Sequence, residues 1–185
     1  MEWTIPGTAL RGLRDDVEAS IRQIEGMFLG GGMIRSQMAS VSGVEAHDIQ
    51  NWVKRGFLSN PVNKRYSCKQ FCRIVTINML RSAMTMDKIC SLLTYVNGEL
   101  DDESDDLIDD TVLYFMFLRL AARARHIGGT ESWDTAIADI LKDYVEPVPG
   151  AKKRIDQVLR IMLTAWIGVR TIQKAEQMLL DLKED

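Results

Sequence analysis

Apolar residues recur at intervals of three and four along most of the chain, the spacing of one face of an α-helix. Over residues 8–29 the series is Leu13, Val17, Ile21, Ile24 and Phe28. It predicts a helix broken by Gly30, Gly31 and Gly32. Two short helices follow, over 36–41 (stopped near Gly43) and 45–55 (stopped by Gly56). Residues 59–64 are polar with one proline. The next helix starts near Ser67, with Cys68, Phe71, Cys72, Val75 and Met79 on one face. Another begins after Thr85, a good N-cap, and carries Met86, Ile89, Cys90 and Leu93.

The second half continues in the same way. Residues 112–122 are apolar nearly all round, broken only by Arg119, which predicts a buried or interfacial helix ended by Gly128 and Gly129. Trp133, Ala136, Ile137, Ile140, Leu141 and Tyr144 form an amphipathic stripe. Pro147, Pro149 and Gly150 then punctuate the chain. The last predicted helix, over 152–182, places Ile155, Val158, Met162, Ala165, Val169, Ile172 and Leu179 at alternating spacings, interrupted by Glu176. At 1.5 Å per residue it is about 45 Å long. Strand-like alternation is confined to the stretch 57–66, and there is no internal repeat. The expected fold is all-α, with a small β wing and a long last helix.

Composition narrows the classes. At 185 residues the chain suits one domain or two small ones, and 46% hydrophobic with 26% charged residues excludes general disorder. The longest apolar run, 112–118, is far too short for a bilayer span. The first ten residues lack the basic and apolar regions of a signal peptide. Three cysteines without paired spacing argue against a disulfide framework, so a reducing, cytoplasmic setting is expected, with no membrane association.

The net charge of −3 conceals an asymmetry. Residues 33–97 hold nine Lys and Arg against three acids, a balance of +6, while 1–32 carry −2 and 98–185 carry −7. A basic segment between acidic ones marks a local face. The run 99–110 holds eight acids and is expected to be a solvated loop or the start of a helix; an acidic mimic competing for the basic face is the functional alternative. It lacks the glycine an EF-hand loop needs.

Within the basic segment, helix 45–55 sets Ile49, Trp52 and Val53 to one side. His47, Gln50, Asn51 and Lys54 fall opposite, at i, i+3, i+4 and i+7. Asn and Gln can pair bidentately with adenine, and Lys can reach guanine or phosphate. Two short helices joined across Ser42, Gly43 and Val44 make a helix-turn-helix, whose second helix enters the major groove. The basic, aromatic loop after it is placed to hold phosphates through Arg55, Lys64, Arg65, Tyr66 and Lys69. Tyr66 has an alternative place under the wing, and Trp52 is expected to anchor the core.

The string Met38-Ala39-x-Val41-x-Gly43-Val44, then Ile49-x-x-Trp52-x-Lys54-Arg55-Gly56-Phe57-Leu58, then Arg65-Tyr66-Ser67 and Ile89-x-x-Leu92-Leu93, resembles the winged helix-turn-helix of the MerR family. The resemblance covers about a third of the chain and implies double-stranded DNA as partner. Gln50-Asn51-Trp52 stand where MerR proteins usually have Arg-Tyr-Tyr. An acidic segment and several helices stand where those proteins run into an antiparallel coiled coil. The whole chain also resembles a bacterial family known as a domain of unknown function (number 1836), which carries a MerR-like segment.

Cys68 and Cys72 share a helix face without further ligands nearby in sequence, so buried thiols are expected and no metal or cofactor. His47 and His126 belong to no catalytic motif, so an enzyme is not expected. The helix 112–122, with Tyr114 to Phe117, has core or dimer interface as its leading reading and a ligand pocket as the lesser one.

The division that follows is an N-terminal helical segment (1–32), a MerR-like DNA-binding domain (33–97) and a helical companion or dimerisation domain (98–185). The expected function is a sequence-specific DNA-binding transcriptional regulator, homodimeric through its last helix, with any effector unidentified. The alternative is a protein-interaction module on a retained helix-turn-helix scaffold.

Overall fold

The computed structural model describes residues 2–100, 102–124 and 132–182; His126, Gly128 and Gly129 lie outside them. Among the described residues there are eight α-helices and two small antiparallel sheets. The mainly helical class is therefore as expected, and among the described residues no helix is long and apolar enough to cross a membrane.

The chain opens differently from its periodicity. β1 (Glu2–Thr4) pairs with β2 (Arg11–Leu13) as a hairpin. The helix expected over 8–29 forms only as α1 (Val17–Gly26), capped by the Asp16 side chain accepting from Ala19 N. Leu13, first of the predicted stripe, is exposed. Two tight contacts favour the hairpin. The loop between its strands turns at Gly7, at φ +76°, where a Cβ would sit 2.1 Å from the Val75 carbonyl oxygen. Gly12 packs under Ile5 and Ser20 in the same way. Local apolar spacing could not register the first of these contacts, because Val75 comes from a distant part of the chain.

β3 (Met33–Ile34) leads into α2 (Arg35–Ser42) and α3 (Ala46–Lys54). β4 (Arg65–Tyr66) returns antiparallel to β3, with Met33 opposite Tyr66 and Ile34 opposite Arg65. α4 (Cys68–Leu80) starts at a full capping box: Ser67 Oγ accepts from Gln70 N, and Gln70 Oε1 accepts from Ser67 N. It was expected to bury one face. Every residue from Gln70 to Ile77 is buried, so α4 is the central helix. α5 (Met86–Asn97) follows.

Glu99, Asp102 and Asp105 of the acidic run are exposed, and its end starts a helix, as expected. Its described part forms a short 3-10 turn (Glu103–Asp105) and docks through Leu107 N to Val96 O at 2.8 Å and through the Asn97 side chain to Ile108 O at 2.5 Å. Asp109 caps α6 (Asp110–Arg123), accepting from Thr111 N at 2.7 Å. α6 is buried along nearly its whole length, as its mostly apolar sequence requires. α7 (Trp133–Ile140) ends before Tyr144, whose hydroxyl donates to Leu107 O. α8 (Ala151–Asp181) runs 31 residues.

One contiguous core joins Trp3, Ile24, Ile49, Phe71, Leu93, Phe117, Ile137 and Leu159. The expected borders at 32/33 and 97/98 are therefore not borders of packing. Three hydrogen bonds stitch the N-terminal loop to the rest: Ala9 N to Val41 O, the Asn78 amide to Gly7 O, and the Tyr114 hydroxyl to Pro6 O. Burial drives the Tyr114 hydroxyl well above its ordinary pKa, so it stays a donor.

Across the 97/98 border, Arg73 of α4 meets Asp110 of α6. Its Nη1 lies 3.4 and 3.2 Å from the two carboxylate oxygens, with the side chains 7% and 5% exposed. Burial pushes the Asp110 carboxyl up, and the Arg73 charge opposes it. Removing one member strands the other in the core. Asp110→Ala is expected to cost about 3–5 kcal/mol in urea denaturation, whereas Arg73→Met with Asp110→Leu recovers most of that loss.

Candidate nucleic-acid interface

α2 ends in a left-handed Gly43 (φ +71°), whose N–H returns to Ala39 O. Val44 is buried in the turn, and its N–H bonds to Ser42 Oγ at 3.2 Å. Asn78, from α4, donates to Ser42 O from below. α3 then leaves with Ile49 and Trp52 buried. His47, Gln50, Asn51 and Lys54 are all exposed, as their spacing implies. Gln50, Asn51 and Lys54 make no side-chain hydrogen bond or ion pair among the described residues. His47 Nε2 sits 3.3 Å from Asp48.

Asp48 also holds Arg81 at 3.1 Å, and the Arg81 guanidinium lies 5.8 Å from the Trp52 ring centroid. Arg81 therefore clamps α3 onto the C-terminus of α4. That contact uses one of the nine cations counted in the basic segment.

α3 closes on Gly56 (φ +72°) in a Schellman turn, with Phe57 N to Trp52 O and Gly56 N to Val53 O. The Arg55 guanidinium stacks 4.7 Å from the Phe57 ring centroid. The loop beyond is fastened from α4. The Gln70 amide donates to Ser59 O, Ser59 Oγ and Asn60 O, and Arg73 Nε donates to Phe57 O at 3.0 Å.

The wing tip is a two-residue hairpin in which Arg65 N bonds to Val62 O at 2.9 Å. Asn63 and Lys64 both have positive φ, +50° and +61°. This type I′ geometry favours Asn followed by Gly. A lysine in the second place stores strain.

Two of the expected phosphate contacts are corrected. Tyr66 is 4% exposed, its ring packed beneath the wing, so it faces the core. Lys69 is engaged by Asp106 at 3.2 Å and Asp109 at 3.4 Å. Both acids belong to the acidic run, so that run already neutralises one cation behind the wing. Arg55, Lys64 and Arg65 remain exposed and make no ion pair among the described residues. Arg65 Nη1 donates to Gly32 O at 2.8 Å, which fixes its reach.

Arg35 joins this group and was not singled out by the sequence. It is exposed, makes no ion pair among the described residues, and follows Ile34, which pairs with Arg65 across the sheet. Its signal in the sequence was only its membership in the +6 segment. The β3–β4 pairing is what brings it beside the wing.

No group of three or more His, Cys, Asp or Glu able to hold a metal ion is present among the described residues. Cys72 is buried, and Cys68 and Cys90 are half-buried.

Residues 33–117 match the family described as Domain of unknown function (DUF1836). The match runs from β3 into α6 and includes both members of the Arg73–Asp110 pair. Neither the curated proteins nor the solved structures provide a match to the chain.

Lys64→Gly relieves the left-handed strain and is expected to raise stability by up to about 1 kcal/mol in chemical denaturation. Gln70→Ala frees the loop, and amide exchange over residues 59–66 should quicken while that of α6 stays unchanged.

Proposed function

We propose that this chain, which carries the DUF1836 domain over residues 33–117, is a sequence-specific double-stranded DNA-binding regulator working through a winged helix-turn-helix of MerR type. α3 lies in the major groove with His47, Gln50, Asn51 and Lys54 toward base edges. Arg55, Lys64 and Arg65 hold phosphates, with Arg35 added to them. The observation that carries this reading is the combination of an exposed, unbonded Gln50–Asn51–Lys54 face with four neighbouring cations that acids leave unpaired. The strained Lys64 at the wing tip adds to it.

The acids elsewhere refine the reading. Lys69, Arg73 and Arg81 are used inside the fold, so the charge available to DNA is smaller than the segment's +6. Non-specific affinity is accordingly weak, and base contacts carry more of the selection. One such domain covers one half-site, and a second copy of the chain supplies the other.

The test is selection from random duplexes followed by mobility shifts at several salt concentrations. Gln50→Ala and Asn51→Ala should flatten sequence preference. Arg35→Ala, Arg55→Ala, Lys64→Gly and Arg65→Ala should weaken all sequences alike, each reducing the slope of log K against log salt by about 0.9. Lys69→Ala should leave that slope unchanged. Absence of retardation at low salt removes the reading and leaves a protein-interaction module as the better one.

A further inference from the structure

α4 opens with two thiols one turn apart. Cys68 is its first residue, directly after the Ser67 cap, and Cys72 follows one turn later on the same face. Cys72 is buried and Cys68 half-buried. Cys68 lines a cleft of about 640 Å³ behind the wing, which Asn60, Arg65 and Gly32 also border. A small solute in that cleft meets Cys68 before Cys72. Neither thiol has a use in the DNA reading.

The pair is chemically unequal. The Cys72 thiol donates a hydrogen bond to Cys68, which holds the Cys68 thiol below its ordinary pKa against burial and the charges of Glu25 and Asp109. A helix N-terminus also favours a thiolate. Burial pushes the Cys72 thiol well above its ordinary value, so it stays protonated. The accessible sulfur is therefore the nucleophile, and the buried one is its proton-bearing partner.

Their spacing sets a condition on any bond between them. Side chains one turn apart on a helix have Cβ atoms about 5–6 Å apart, whereas a disulfide needs about 3.5–4.5 Å. The first turn of α4 must give before a bridge closes. That turn carries the capping box of Ser67 and Gln70, and the Gln70 amide holds Ser59 and Asn60 of the wing loop. A bond between the thiols and the hold on the loop are therefore in competition.

We propose that Cys68 is a peroxide-reactive thiol, that Cys72 resolves it, and that the resulting disulfide releases the wing loop. The Cys68 thiolate attacks one oxygen of hydrogen peroxide. An S–O bond forms, the O–O bond breaks, and the departing hydroxide takes up the proton that the thiol had lost. Cys68 is then a sulfenic acid. The Cys72 sulfur attacks the Cys68 sulfur. The S–S bond forms, the S–O bond breaks, and the oxygen leaves as water with the Cys72 proton. Two electrons leave the thiol pair and reduce one peroxide to two waters.

Trypsin cleaves after Lys69 and so separates the two cysteines, into residues 66–69 and 70–73. The full chain is treated with hydrogen peroxide, its remaining thiols are blocked, and it is digested without reductant. The two peptides should appear joined, lighter by two hydrogens than their reduced sum, and should part again in dithiothreitol. Amide exchange over residues 59–66 should quicken about fivefold on oxidation, as the loss of one net hydrogen bond gives, and should return on reduction. Cys72→Ala should halt the reaction at a Cys68 sulfenic acid that dimedone captures, with exchange over 59–66 indifferent to peroxide. Cys68→Ser, at a half-buried position, should abolish the bridge, and Cys90→Ser should alter nothing. A Cys68 that oxidises no faster than Cys90 overturns the proposal. So does the absence of joined peptides, or a bridge that leaves exchange over 59–66 unchanged. No readout uses DNA, so failure to retard DNA counts against the DNA reading alone.

Discussion

The buried pair of Arg73 and Asp110 is the constraint on which the arrangement depends. A guanidinium cannot sit in a helical core without a counter-charge and bonds for its remaining donors. Asp110 supplies the charge, and the Phe57 carbonyl accepts from Nε. One side chain thus fixes three things: the spacing of α4 and α6, the exit of the chain from α3, and the base of the wing. The pair contributes less to net stability than to uniqueness, since any other docking of α6 would strand a charge.

Around that point the polar bonds of the interior serve the same end. Gln70 holds the wing loop, Asn78 holds the turn between α2 and α3, and Arg81 holds α3 through Asp48 and Trp52. The first two project from α4, and Arg81 is its C-cap. The exposed face of α3 and the wing tip are therefore carried on one buried helix rather than on each other. Positions held by a core keep their spacing, which the proposed contact with a rigid duplex requires. The acidic run has a matching role. Its acids cap α6, neutralise Lys69 and pair with Arg73, so the apparent excess of negative charge is partly internal wiring.

Where the sequence was legible, local physics sufficed. The helix expected near Ser67 starts there at a capping box, and Gly43 and Gly56, read as helix stops, take the positive φ of helix ends. The exposed quartet on α3 followed from 3.6-residue periodicity alone. Illegible features were those decided by distant partners. The N-terminal hairpin has an apolar spacing that also fits a helix, and contacts with Val75, Val41 and Tyr114 chose between them. Tyr66 and Lys69 were assigned to phosphates because they belong to the basic, aromatic loop; the alternative place of Tyr66 under the wing is the one the sheet gives it, and two aspartates from the acidic run engage Lys69.

The sequence by itself determined the helical class, the two short helices joined across Gly43 and the basic character of residues 33–97, because each is a property of neighbours along the chain. Only the tertiary structure decided which cations are spent, that Arg35 stands beside the wing, that one core spans the expected domain borders, and that α8 is half buried and half bare. The reason is the same in each case. Burial and ion pairing are set by what arrives from elsewhere in the chain, and periodicity reports a face without reporting what covers it.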